Sequence, residues 1–159
     1  MNTLLALLLV ATPDLTVLWP RIIPSAQAEQ TSELAAKVQV QVTALARRTM
    51  PGRALDVRPK GERSCPETGC PGGSLGVLLI RKGEGCAAVA LVGVPGRSKL
   101  RLAAWAGQLE LKKYEVEFRD PPESQVRVVD FVPCAALVAA MEAPNADVER
   151  AVHDMLGSP

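Results

Sequence analysis

Aromatic side chains are scarce: two Trp, two Phe and one Tyr in 159 residues. That leaves little for the stacked aromatic platform on which single-stranded nucleic acids bind. No excess of one charge is present either. Lys and Arg number 18, Asp and Glu 17, for a net charge of +1 with His neutral. Nucleic-acid-binding domains show a basic excess, so no nucleic-acid partner is expected. Histidine occurs once, as His153, so no second histidine can complete a metal site or a His-based relay. The sequence shows no Cys-His or Ser-His local signature beside that histidine. Its nearest approach to a phosphate loop, "GVPGRSK" (93–99), lacks the Gly-Lys-Ser/Thr step and reads as a hairpin turn with basic tips. No catalytic residues, metal or cofactor are therefore assigned.

A membrane-spanning helix needs about 20 mostly apolar residues. The only candidate region is amino-terminal, and Pro13, Asp14, Pro20 and Arg21 interrupt it. What that region resembles is a secretory leader. Residues 4–11 are an unbroken apolar run, and Ala26-Gln27-Ala28 is a small-x-small site preceded by Pro24. The n-region carries no Lys or Arg. The expectation is a signal peptide over 1–28, cleaved after Ala28. Residues 29–159 then form a single domain that keeps no stable membrane span. An uncleaved anchor is the first alternative, and a buried amino-terminal helix of a cytosolic chain the second.

All four cysteines, Cys65, Cys70, Cys86 and Cys134, lie beyond the proposed cleavage point. An even count in an exported chain reads as disulfides, with three possible pairings. Local chemistry favours Cys65–Cys70 and Cys86–Cys134. "SCPETGCPGG" (64–73) is a turn-rich stretch that can bring close cysteines together. Cys86 and Cys134 each fall at a strand end, where a bridge joins distant segments. A four-thiolate zinc site is the first alternative, but Cys-x4-Cys is wider than most ligand pairs. A redox-active pair is the second, but the spacing is not Cys-x-x-Cys and no helix follows.

Beyond the leader, 31–50 has helical periodicity, with Leu34, Val38, Val42 and Leu45 on one face, Ser32 as a cap and Pro51-Gly52 as a stop. Residues 54–59 read as a short strand. "SLGVLLIRK" (74–82) and "CAAVALVGV" (86–94) read as a hairpin around "KGEG", and 99–105 as a third strand after "PGRS". The alternation of Leu109 and Leu111 slips phase before Tyr114, Val116 and Phe118, which calls for a break at Lys112-Lys113. Residues 125–133 form the last strand. "CAALVAAME" and an Asn145-capped "ADVERAVHDML" are helical, the latter stopped by Gly157. The expected fold is α+β: an antiparallel meander of four to five strands against an amino-terminal helix and two short carboxy-terminal helices, stapled by disulfides.

Few residues invite chemistry. His153 sits four after Glu149 and reads as a surface helix residue. Glu115 and Glu117, with Asp120 and Glu123 nearby, read as the solvated side of an alternating strand. Asp130 lies among apolar neighbours, sharing a face with Val128 and Val132, and a carboxylate buried there needs a partner. Trp105 is out of phase with Leu100 and Leu102, so it is either an exposed contact or a core plug. With Arg97, Lys99 and Arg101 it is the candidate binding surface. The leading functional expectation is a non-enzymatic, periplasmic or secreted domain that binds a protein or envelope component. Its oligomeric state is left open. A small-molecule or lipid carrier is the alternative, given an apolar pocket between sheet and helices. An envelope enzyme using Asp130, His153 or the Cys65/Cys70 pair is the third reading.

Overall fold

The computed structural model describes residues 12–157. The apolar run 4–11 lies outside the described residues. The chain forms one mixed sheet of eight strands with three α-helices on one face, plus a separate two-stranded ribbon. The strands are β1 (Leu15–Val17), β2 (Arg21–Ile23), β3 (Leu55–Val57), β4 (Ser74–Lys82), β5 (Gly85–Gly93), β6 (Lys99–Ala106), β7 (Gln108–Leu111), β8 (Glu115–Glu117), β9 (Val126–Asp130) and β10 (Val132–Pro133). The helices are α1 (Ser32–Thr49), α2 (Leu137–Glu142) and α3 (Ala146–Leu156).

The main sheet runs β3-β1-β4-β5-β6-β8, with β2 also on β4 and β10 also on β5. The meander expected from the sequence is its centre. β4, β5 and β6 pair antiparallel, and β8 follows on β6. The full sheet is larger and mixed, because β1 pairs parallel with both β3 and β4, and β2 pairs parallel with β4. β1, α1 and β3 thus form a parallel crossover unit, for which a long helix is the usual connection.

The added strands come from the segment read as a leader. Leu15 and Val17 are fully buried, and Ile22 is nearly so. The sheet therefore takes in β1 and β2, which precede residue 29. Pro13, Asp14 and Pro20, which interrupt any spanning helix, instead bound two three-residue strands.

The sheet is covered on one side by helices. Leu75, Val77 and Leu79 of β4, and Cys86, Ala88, Ala90 and Val92 of β5, meet the apolar stripe Ala35, Val38, Val42 and Leu45 of α1. Leu137 and Met141 of α2, and Val148, Val152 and Leu156 of α3, complete that layer. Asn145 caps α3 as expected, its side chain accepting from the Asp147 and Val148 amides, both at 3.1 Å. At α1 the N-cap is Thr31 with no side-chain cap bond, so the Ser32 cap is not formed.

Alternate residues face the other side: Leu78 of β4, Val89 and Leu91 of β5, Leu100 and Leu102 of β6, and Val116 of β8. Part of this second face is covered by the ribbon, through Leu109 and Leu111 of β7 and Val126 of β9. The phase slip at Lys112-Lys113 is a change of sheet: β7 pairs with β9, whereas β8 returns to β6. Tyr114, expected inward with Val116, is exposed, with the Arg101 guanidinium 5.7 Å from its ring centroid.

Both disulfides form with the expected pairing. Cys65 and Cys70 have Cα atoms 5.1 Å apart, Cys86 and Cys134 4.8 Å apart. The second links β5 to the turn that leads into α2.

Candidate functional site

The sequence places a carrier pocket between sheet and helices, but that interface is filled by the core side chains of both layers. The cleft lies on the opposite face, at the end the β7–β9 ribbon does not cover. It encloses about 620 Å³, within the usual range for small-molecule sites. Its floor is apolar, made by Leu18, Leu91, Leu100 and Phe118.

Small residues open this space. Strand alternation sends Ser74 and Gly76 of β4 to the cleft face, and Gly93 of β5 lies opposite Ser74. A Cβ at Gly93 would collide with the Ser74 hydroxyl, so that hydroxyl needs a glycine across from it. At Gly76 a Cβ would meet the Leu18 side chain at 3.5 Å, an ordinary contact, so the close fit is at Gly93 and not here.

One wall is the Cys65–Cys70 loop, contributing Arg63, Ser64, Cys65 and Glu67. It is docked on the β5–β6 hairpin. The Gly96 amide donates to the Cys70 carbonyl at 2.9 Å. Gly69 has φ of 88° and packs so closely on Arg97 that a Cβ would strike its backbone. "SCPETGCPGG" and "GVPGRSK", two loops with no shared motif, thus meet in space. The other wall is Ser98 with Phe118 and Arg119, joined by a bond from the Phe118 amide to the Ser98 carbonyl at 3.0 Å. Arg21 of β2 also lines the cleft, 3.9 Å from Glu123.

The expected binding surface is only partly present. Arg97 is exposed at the hairpin tip. Lys99 and Arg101 are engaged by Glu115, at 2.9 and 3.7 Å. The hydrogen bond from Lys99 holds the Glu115 carboxyl below its ordinary value. Desolvation works against this, and the charges of Lys99 and Arg101 add to it. Trp105 is a core plug and not an exposed contact. Only 7% of its surface is exposed, and its indole N–H donates to the Met141 carbonyl at 3.0 Å.

The catalytic candidates are not assembled. Asp130 is exposed, not buried, because the last strand breaks at Phe131, where the chain leaves β7 for β5. His153 is exposed on α3, and Glu149 is occupied by Arg48 at 3.2 Å. Glu115 is tied to cations, while Glu117 is exposed. All four cysteines are engaged in disulfides, which leaves no thiolate for zinc. Among the described residues no cluster of three acidic, histidine or cysteine side chains could hold a metal, and no helix is long and apolar enough to cross a membrane. No family model, curated protein or solved structure matches the chain.

Proposed function

We propose that the chain is a non-enzymatic binding domain of an oxidising compartment, periplasmic or extracellular, that holds a small ligand in the cleft beside the Cys65–Cys70 loop. The observation that carries the reading is the 620 Å³ cleft with its apolar floor. Two disulfides support the compartment, because such bonds persist outside the reducing cytosol. The docking of a protein or envelope partner on Trp105 and the Arg97 hairpin is less well supported, since burial of Trp105 removes its apolar anchor. Processing belongs to the same proposal. A cut after Ala28 would remove β1 and β2, so we place any leader cleavage upstream of Leu15.

The test is titration with N-phenyl-1-naphthylamine, a neutral probe that fluoresces in apolar surroundings. Saturable binding at one site per chain is expected. Ser98→Phe, at the cleft lip and half-buried, should weaken it about tenfold with the melting temperature unchanged. Absence of saturable binding, or equal binding by the variant, overturns the cleft as the ligand site.

A further inference from the structure

The lining of the cleft is not neutral in its chemistry. Three arginines reach it, Arg21, Arg63 and Arg119. Two glutamates are also at its border, but they do not balance the cations. Glu117 follows Val116, which faces the cleft side, so alternation turns its carboxylate to the opposite face, where it lies across from Lys99. Glu67 is the remaining carboxylate. Arg21 lies 3.9 Å from Glu123, whereas Arg63 and Arg119 make no ion pair among the described residues. The lip therefore carries two exposed arginines beside an apolar floor, neither in an ion pair among the described residues, with Glu67 the one carboxylate left on their side.

A second observation comes from the floor. Ser74 is 1% exposed, and its hydroxyl has no hydrogen-bond partner. A buried hydroxyl without a partner is unfavourable, and few survive in native proteins without a reason. Register places it. Ser74 is opposite Gly93, and Gly93 is opposite Leu100. The hydroxyl thus lies at the hairpin end of the cleft, the same end as Ser98 and Arg119, and it points to the cleft face. A ligand oxygen seated there would complete it.

We infer that the cleft takes a single-chain amphipathic anion, its carboxylate or phosphate head between Arg63 and Arg119 and over the Ser74 hydroxyl, its apolar tail on Leu18, Leu91 and Leu100. The inference rests on the cleft being the ligand site and adds the class of ligand. A volume of 620 Å³ holds about 20 water-sized groups, at roughly 30 Å³ each, enough for a chain of about a dozen carbons and its head. Arginine suits the head because its planar fork meets carboxylate and phosphate oxygens in pairs.

The test compares heads on a constant tail, reading displacement of N-phenyl-1-naphthylamine below the micelle range. Dodecanoate and dodecyl phosphate should displace the probe at least about tenfold better than dodecanol and dodecyltrimethylammonium. Success of dodecanoate alone assigns a free fatty acid, and of dodecyl phosphate alone a phosphorylated amphiphile. Arg63→Glu with Arg119→Glu should abolish the preference for anions, so that dodecanol and dodecyltrimethylammonium displace the probe at least as well as dodecanoate and dodecyl phosphate. Ser74→Ala should weaken both anions several-fold without lowering the melting temperature, because it removes a hydroxyl that has no partner in the free protein. Equal displacement by all four heads overturns the inference and leaves the cleft standing as a site. Unchanged anion binding in Ser74→Ala overturns the placement of the head. Failure of the wild-type protein to bind the neutral probe at all overturns the underlying reading as well.

Discussion

At the residue scale, Trp105 shows how a phase argument is right about geometry and incomplete about environment. Its indole is opposite in phase to Leu100 and Leu102, as the alternation requires. The opposite side, however, is the one the helices cover. The indole therefore enters the main core and its N–H meets the carbonyl of Met141, near the end of α2. Trp105→Ala should destabilise the fold by about 3–5 kcal/mol. Trp105→Phe should cost about 1–3 kcal/mol, through the Met141 carbonyl left without its donor. Urea denaturation measures both, and a loss under about 0.5 kcal/mol for either would mean the indole is not held as described. Asp130 is the converse case. Its neighbours are apolar, so local sequence suggests burial, yet the strand ends there and the side chain is exposed. Ser74 and Gly93 were legible only as strand residues. Their role in opening a cleft depends on β4–β5 register, which no local pattern states.

At the scale of elements, long periodic segments were readable and short ones were not. α1, β4, β5, β6 and α3 each carry enough residues for a period to show, and the structure has them at nearly the expected bounds. β1 and β2 are three residues each. "LTV" and "RII" show no period, and the adjacent run 4–11 with Ala26-Gln27-Ala28 gives the whole segment the look of a leader. What makes them strands is non-local: β1 is sandwiched between β3 and β4, and β2 lies on β4 beyond it. Leu15, Val17 and Ile22 then pack in the helix-side core. Three side chains of this size removed from a packed interior correspond to roughly 5–9 kcal/mol of burial, comparable to the whole stability of a typical domain. A chain beginning at Glu29 should therefore fail to give the cooperative thermal transition of the full chain. Circular dichroism melts of the two decide it. If the chain from Glu29 onward melts cooperatively at the full chain's temperature, β1 and β2 are dispensable.

At the scale of the whole molecule, the two disulfides do different work although the sequence presents them alike. Cys86–Cys134 spans 48 residues and joins the start of β5 to the turn before α2. Closing a loop of that length stabilises by about 4 kcal/mol on the chain-entropy account. Cys65–Cys70 spans 5 residues, for which the same account gives about 2 kcal/mol. Its position matters more than its loop length. It shapes the segment that docks on the β5–β6 hairpin through the Cys70 carbonyl and Gly69, and that segment is a wall of the cleft. Stability and binding should therefore separate. Cys86→Ala with Cys134→Ala should lower the urea midpoint strongly and, at temperatures where the variant remains folded, leave affinity for N-phenyl-1-naphthylamine near the wild-type value. Cys65→Ala with Cys70→Ala should lower the midpoint less and weaken the probe several-fold, because the loop no longer holds Arg63 and Ser64 against the floor. If the two variants lose affinity in proportion to their loss of stability, the loop is a staple like the other, and the cleft does not depend on it. If affinity falls only where the wall is cut, the short disulfide belongs to the binding site and the long one to the fold.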